Sequence, residues 1–240
     1  MQLPRFYIDQ GLGSRGNIIL PEKTAHHVRD VLRARTGDQL ILFNGLGGEY
    51  TAEITGVNRK QVEISIIDFA DINRESCLDI TLGLGVLKRD SMNSALQKAT
   101  ELGVTSIVPL ETANISVSRK KFENRQQHWH QVIQSASEQC GRTKLPILLD
   151  VLPFTQWIET AVGDLKLLSS LNATRGLDEI QMTPESICLL IGPEGGISDE
   201  EELAAAKSGF RPVSIGRRIL RAETAPAALL SLLQFLWGDF

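Results

Sequence analysis

The feature that most restricts the fold of this 240-residue chain is the run Ile187-Cys188-Leu189-Leu190-Ile191, which leads straight into Gly192-Pro193-Glu194-Gly195-Gly196. A strand without polar alternation is buried on both faces, the condition of a strand inside a helix-covered parallel sheet. Ser198, with Glu201 three residues later, has the pattern of a capping box, so a helix is expected directly after the glycines. Strand, tight loop and helix in this order predict an α/β architecture built on a largely parallel sheet.

The same rhythm begins near residue 78. Leu78 to Leu87 reads as a strand, Ser91 to Leu102 as a helix stopped at Gly103, and Ser106 to Leu110 as the returning strand. Phe122 to Cys140 follows as a longer helix, then strand Ile147 to Val151, helix Thr155 to Val162 and strand Leu165 to Ser169. Val213 to Ile215 leads into Gly216 much as Ile191 leads into Gly192. Ala225 to Trp237 is strongly apolar but short of the roughly 20 residues of a membrane span, and reads as a buried helix.

The chain before residue 70 has a different texture. Gln39 to Phe43, Tyr50 to Val57 and Val62 to Ile67 are short strand candidates separated by Asn44 to Gly48 and by Asn58 to Lys60, which suggests a small β-barrel. Glu22 to Arg35 carries Ala25, Val28, Val31 and Leu32 at helical spacing, with Gly37 past its end. The polar stretch Asp68 to Ser76 is the expected boundary, dividing the chain into domains 1–72 and 73–240.

A net charge of −4 argues mildly against a nucleic-acid partner, but the charges are unevenly spread. Between Ile115 and Lys144, Arg119, Lys120, Lys121, Arg125, Arg142 and Lys144 face only Glu123 and Glu138. Between Arg211 and Arg221 four arginines face no carboxylate, whereas acidic residues gather from Glu185 to Glu202. Solvated faces account equally well for such runs. Cys77, Cys140 and Cys188 are odd in number and lack metal-ligand spacing, so reduced, mostly buried thiols and no metal are expected. The adjacent pair His26-His27, and His128 with His130, lack helical ligand spacing. The N-terminus lacks an export signal, leaving the cytoplasm as the default compartment.

Two loops are candidates for chemistry. Ligands of open α/β sheets bind at the carboxyl ends of strands, where Gly192 to Gly196 lies. A helix start favours an anion, but Glu194 and Asp199 to Glu202 would repel a phosphate. Ribose hydroxyls, an amino group or a sulfonium suit the loop better; a tight turn without a ligand is the alternative. The second loop, Gly216 to Thr224, carries Arg217, Arg218 and Arg221 beside Glu223, with Thr224 placed to cap the next helix. Its arginines either meet RNA or satisfy Glu223 and loop carbonyls. Lys88-Arg89-Asp90, and Ser135, Glu138, Gln139 and Arg142 on one helix, form two further sets; an intrahelical Glu138–Arg142 pair is the plainer account of the latter.

Taken together, Pro4 to Tyr7, His26-His27 with Val31-Leu32-Arg33, Lys88 to Met92, Gln97 to Gly103, Glu138 to Arg142, Gly192 to Gly196 and Ile215 to Thr224 resemble the ribosomal RNA small subunit methyltransferase E family of the SPOUT superfamily. The resemblance implies an N-terminal PUA-like barrel for RNA, a C-terminal α/β domain closed by a trefoil knot, and a homodimer. It also implies S-adenosylmethionine-dependent methylation of uridine N3 in 16S rRNA of the small ribosomal subunit. Cofactor contacts carried over are Leu168, Ile191, Gly192, Glu194, Gly195, Gly196, Ile215, Gly216, Ile219, Leu220 and Thr224. RNA contacts are Arg5, Arg29, Arg33, Lys88, Arg89, Arg142, Arg217 and Arg218. Loss of the N3 proton calls for cationic stabilisation by Arg221, with Glu138 or Glu223 accepting or relaying the proton. The chain departs from the family pattern at Thr112 to Ser116, which lacks an expected arginine, and at Leu168 to Asn172, which is less polar. A SPOUT-type enzyme for another rRNA or tRNA nucleotide and a non-catalytic RNA-binding assembly factor are the alternatives.

Overall fold

A computed structural model describes residues 3–13, 15–115, 123–174 and 176–240, with the side chains at 123 and 124 excepted. Ser116, Arg119, Lys120, Lys121 and Phe122, all weighed above, lie outside the described residues. The chain forms two compact units, one of Met1–Glu75 with Ser137–Leu145 and one of Ser76–Ala136 with Pro146–Phe240. Among the described residues no helix is long and apolar enough to cross a membrane.

In the first unit β1 (Arg5–Tyr7), β2 (Gly16–Ile19), β3 (Gln39–Phe43), β4 (Glu49–Val57) and β5 (Val62–Ala70) form a sheet in the order β1-β3-β4-β5-β2. Period-2 alternation along β4 sends Tyr50, Ala52 and Ile54 inward, onto Leu40, Leu42, Val62 and Ile64. Strands β1 and β2, only three and four residues long, carry no pattern legible in sequence; β1 is recruited by parallel pairing with β3. The helix expected over Glu22 to Arg35 is shorter. It is α-helical over α1 (Glu22–His26), continues as a π-turn over His27–Val31, and stops where Arg33 takes φ 55°. Strand β5 continues through Ala70, into the stretch Asp68 to Ser76 expected as the boundary.

Ser137–Leu145 is joined to this unit by charge. Arg5, whose side chain is 6% exposed, pairs with Glu49 and donates to the carbonyls of Gly141 (3.2 Å) and Arg142 (3.0 Å). Arg74 joins the same carboxylate at 2.8 Å and the Gly141 carbonyl at 3.1 Å. Glu75 accepts from the Arg142 guanidinium and from the amides of Thr143 and Lys144. Burial pushes the Glu49 carboxyl up, but hydrogen bonds from Arg74 and Arg5 outweigh it and hold the group below its ordinary range.

The second unit is a parallel sheet in the order β12-β10-β11-β6-β7-β8, made of β6 (Asp79–Gly85), β7 (Ser106–Glu111), β8 (Ile147–Leu148), β10 (Leu165–Ser169), β11 (Ser186–Ile191) and β12 (Arg211–Val213). The two-residue β9 (Leu152–Pro153) also pairs with β7. Helices α2 (Arg89–Glu101), α4 (Phe154–Thr160), α5 (Asp199–Lys207) and α6 (Thr224–Trp237) belong to this unit, while α3 (Glu123–Cys140) ends in the residues grouped with the first. The apolar run of β11 is buried from Ile187 to Ile191, as its sequence requires. The strand expected over Ile147 to Val151 shortens to β8, and the one expected over Val213 to Ile215 lies over Arg211–Val213, so Ser214 and Ile215 already belong to the loop. Helix α6 is not buried all round: Leu229, Leu230 and Leu233 are in the core, while Phe235 is 70% exposed. Only Cys188 of the three thiols is buried, and burial pushes it up to about 11.

Candidate functional site

The loop after β11 is shaped by close packing and by side chains reaching it from several elements. Gly196 has φ 72°, a left-handed conformation that glycine adopts without strain. A Cβ at Gly195 would stand 2.8 Å from the Asn114 carbonyl oxygen, so the loop backbone lies directly on the segment that follows β7. Asn114 Nδ2 donates to the carbonyls of Gly195 (3.2 Å) and Gly196 (3.4 Å). Glu194 Oε1 accepts the Lys88 amide at 2.9 Å, at the start of α2. Glu201 completes the capping box with Ser198 and also accepts the Ala113 amide at 2.8 Å. Glu202 accepts the Ser170 hydroxyl at 2.6 Å, fastening the loop after β10 to α5. The acidic residues that disfavour phosphate are thus also the fasteners of the loop.

The stretch after β12 returns to this loop. Ile219, Leu220, Ala222 and Ala225 line a cavity of about 380 Å³ together with Ile191 to Ile197, Ser169 and Leu171. A second cavity of about 270 Å³ adjoins it, lined by Leu168 to Asn172, Gly195 to Ile197 and Glu202. The ends of β10 and β11 and the approach to α6 therefore converge on one site, with glycine backbone on one side and apolar side chains on the other. The larger cavity falls within the roughly 300–1,000 Å³ of small-molecule pockets.

Of the residues expected at a cofactor, Ile191, Gly192, Glu194, Gly195, Gly196, Ile219 and Leu220 line the larger cavity, and Leu168 lines the smaller. Ile215, Gly216 and Thr224 line neither; Gly216 accepts the Ser214 hydroxyl at 3.2 Å with φ 100°. Thr224 does not cap α6. Glu223 holds the N-cap position, without a side-chain bond. The Arg221 guanidinium is 86% exposed and 4.0 Å from Glu223, whose side chain is only 23% exposed. Arg217, Arg218, Lys88 and Arg89 are exposed in the same unit.

Other expected residues belong to the first unit. Glu138 Oε1 accepts the Tyr7 amide at 3.0 Å and so holds β1. Arg5 and Arg142, expected at RNA, are buried in the ion-pair network, Arg5 with Glu49 and Arg142 with Glu75. Arg29 and Arg33 stay near the π-turn, and Arg29 donates to the Arg59 carbonyl at 3.1 Å. Ser169 and Leu171, which also line these cavities, lie beside Leu168 in the segment expected at the cofactor, whereas Ile197 and Asn114 lie outside the expected set. Ile197 follows from the strand-end rule, but Asn114 carries no signal because its partners are backbone atoms 81 and 82 residues away.

The RNA methyltransferase domain family matches residues 74–234, and an RNA methyltransferase PUA domain matches residues 20–67. Ribosomal RNA small subunit methyltransferase E of Buchnera aphidicola subsp. Schizaphis graminum is 34% identical over 99% of this chain and 98% of its own length. A putative methyltransferase of Legionella pneumophila, solved with the bound cofactor SAM, superposes with a TM-score of 0.96 at 36% identity over all of both chains. The ribosomal RNA small subunit methyltransferase E of Neisseria gonorrhoeae, bound to S-adenosyl methionine, gives 0.94 at 35% identity, again over all of both chains. By matched domain, full-length identity and fold, the chain belongs to the RNA methyltransferase family represented by ribosomal RNA small subunit methyltransferase E.

Proposed function

We propose that this chain transfers a methyl group from S-adenosylmethionine to N3 of a uridine in 16S rRNA of the small ribosomal subunit. The convergence of the Gly192–Gly196 loop and the Ile219–Ala225 stretch on one cavity carries this reading. The cavity suits the cofactor: glycine backbone allows close approach, Leu171, Ile219 and Leu220 supply apolar cover, and the surrounding carboxylates favour a cation over a phosphate. When bound, the sulfonium supplies an electrophilic methyl group. The residues of the chain then hold donor and acceptor within contact distance and manage the proton of N3.

Arg221 and Glu223 are assigned to that proton. The exposed guanidinium of Arg221 reaches out of the site, where it stabilises negative charge on the uracil oxygens, and the partly buried Glu223 accepts or relays the proton. Glu138 is assigned instead to holding β1, since its Oε1 is engaged by Tyr7. Arg217, Arg218, Lys88 and Arg89 lie exposed in the same unit and are assigned to RNA phosphates. The return of the chain from the edge strand β12 to the cavity beside β11 supports trefoil threading, and the exposed stripe on α6 supports a homodimer. An rRNA substrate supports a cytoplasmic location.

Mass mapping of small-subunit rRNA from cells with and without the protein tests the reading. Loss of 3-methyluridine alone is expected; loss of a different modification would reassign the acceptor. In single-turnover assays Arg221→Ala is expected to slow transfer roughly 100-fold, the scale of removing one charge-stabilising donor. Normal transfer by that variant would remove Arg221 from the mechanism.

A further inference from the structure

The smaller of the two cavities beside the Gly192–Gly196 loop holds a carboxylate. Four acidic residues stand in the first turn of α5, and the fold gives them different surroundings. Asp199 and Glu200 are exposed, and Glu201 is taken up by the capping box and the Ala113 amide. Glu202 lines the cavity of about 270 Å³. Its Oε1 accepts the Ser170 hydroxyl at 2.6 Å, and Ser170 Oγ accepts the Asn172 amide at 3.1 Å. The hydroxyl is thereby held from both sides and fixes the carboxylate in one orientation. Glu202 Oε2 has no hydrogen bond or ion pair among the described residues.

Ser169, Leu171 and Gly195 to Ile197 line both cavities, so one ligand can occupy the two together. Around the free oxygen the walls are Leu168, Leu171, Ile197 and glycine backbone, and the carbonyls of Gly195 and Gly196 already accept from Asn114. An ammonium carries several donors and a full charge, and calls for several acceptors. A single free carboxylate oxygen among apolar walls matches instead a neutral O–H or N–H donor on a carbon-rich group. Adenosine offers such donors at its ribose hydroxyls and its amino group. The Leu168 to Asn172 stretch is less polar than the family pattern, and Glu202 brings an acceptor to it from a different element.

We infer that Glu202 is a specificity-determining residue for the cofactor, its Oε2 accepting a hydrogen bond from a neutral donor of the adenosine half, and that Ser170 is the positioning residue that aims it. The inference rests on the reading of the chain as an S-adenosylmethionine-dependent enzyme and names a side chain by which this chain tells the adenosine of its cofactor from other groups. A hydrogen bond with an ionised acceptor is of the stronger class, and its loss is read as a change in affinity.

The test is calorimetric titration of the full chain with S-adenosylmethionine, with S-adenosylhomocysteine, and with S-adenosylhomocysteine analogues that are 2′-deoxy, 3′-deoxy or N6-dimethylated. Glu202→Leu is expected to weaken S-adenosylmethionine and S-adenosylhomocysteine by the same factor, about 10- to 100-fold, the scale of a hydrogen bond to a charged group. Ser170→Ala is expected to weaken both by less, since the carboxylate stays but is no longer held. For at least one analogue the loss is expected to shrink toward none: a deoxy analogue identifies a ribose hydroxyl as the donor, the dimethylated one the amino group. If thermal melting shows that leucine unfolds α5, Glu202→Gln carries the same comparison, with a loss at the lower end of that range. A loss confined to S-adenosylmethionine would show the carboxylate acting only through its charge on the sulfonium and would overturn the inference, as would wild-type affinity in the folded variant or an equal loss against every analogue. Each of these leaves the functional reading standing, because wild-type protein still binds S-adenosylmethionine. Failure of wild-type protein to bind either parent compound would overturn that reading and the inference with it.

Discussion

Asn114 shows how much of the site depends on single side chains outside the glycine loop. Its amide is shared between two loop carbonyls, and its backbone fills the space a Cβ on Gly195 would need. Each such hydrogen bond contributes about 0.5–1.5 kcal/mol net, and a tenfold affinity change corresponds to about 1.4 kcal/mol. Asn114→Ala is therefore expected to raise the dissociation constant for S-adenosylmethionine about tenfold. Asn114→Asp is expected to raise it further, because a carboxylate would face two carbonyl oxygens. Calorimetric titration of both variants checks the order, and equal wild-type affinity in the two would show that Asn114 does not position the loop. Within the family pattern this stretch lacked an expected arginine; here the segment is occupied by backbone and amide contacts that fasten the loop instead.

At the scale of elements, the end of α3 is joined to the first unit through Glu49, Glu75, Arg5 and Arg74. The Glu49 carboxyl is held below its ordinary value, so the folded state favours its ionised form. The resulting stability is fully present above the unfolded value of about 4.3 and is lost as pH falls through the lower folded value. Thermal melts between pH 7 and pH 3 are expected to show an acid-induced loss of stability that Glu49→Gln reduces. An identical acid profile in that variant would assign the loss to other carboxylates. The capping box of α5 was legible because its signal is local, four residues long and confirmed by both reciprocal hydrogen bonds. The cap expected from Thr224 failed because the helix begins one residue earlier than a capping role needs, with Glu223 in the N-cap position. Strands β1 and β2 were illegible because pairing across the sheet, rather than their own patterning, defines them.

At the scale of the molecule, α6 presents Leu232 (39% exposed), Phe235 (70%) and Leu236 (43%) at i, i+3 and i+4, one stripe on the outer side of a helix whose other face is core. The proposed homodimer buries this stripe. Sedimentation velocity is expected to give a dimer for the wild-type chain and a monomer for Phe235→Glu, with the cooperative melt retained; a wild-type monomer at tens of micromolar would dismiss the stripe as the interface. The sequence by itself determined the parallel α/β plan, the strand-loop-helix at Gly192 and the helix cap at Ser198, because burial on both faces, glycine and capping are read from neighbouring residues. Only the tertiary structure decided that Arg5 and Arg142 are buried in ion pairs, that Asn114 holds the Gly192–Gly196 loop and that the stretch after β12 returns to it. Those outcomes depend on which residues meet across long loops, and closing such loops is governed by the packing of the whole chain rather than by any local pattern.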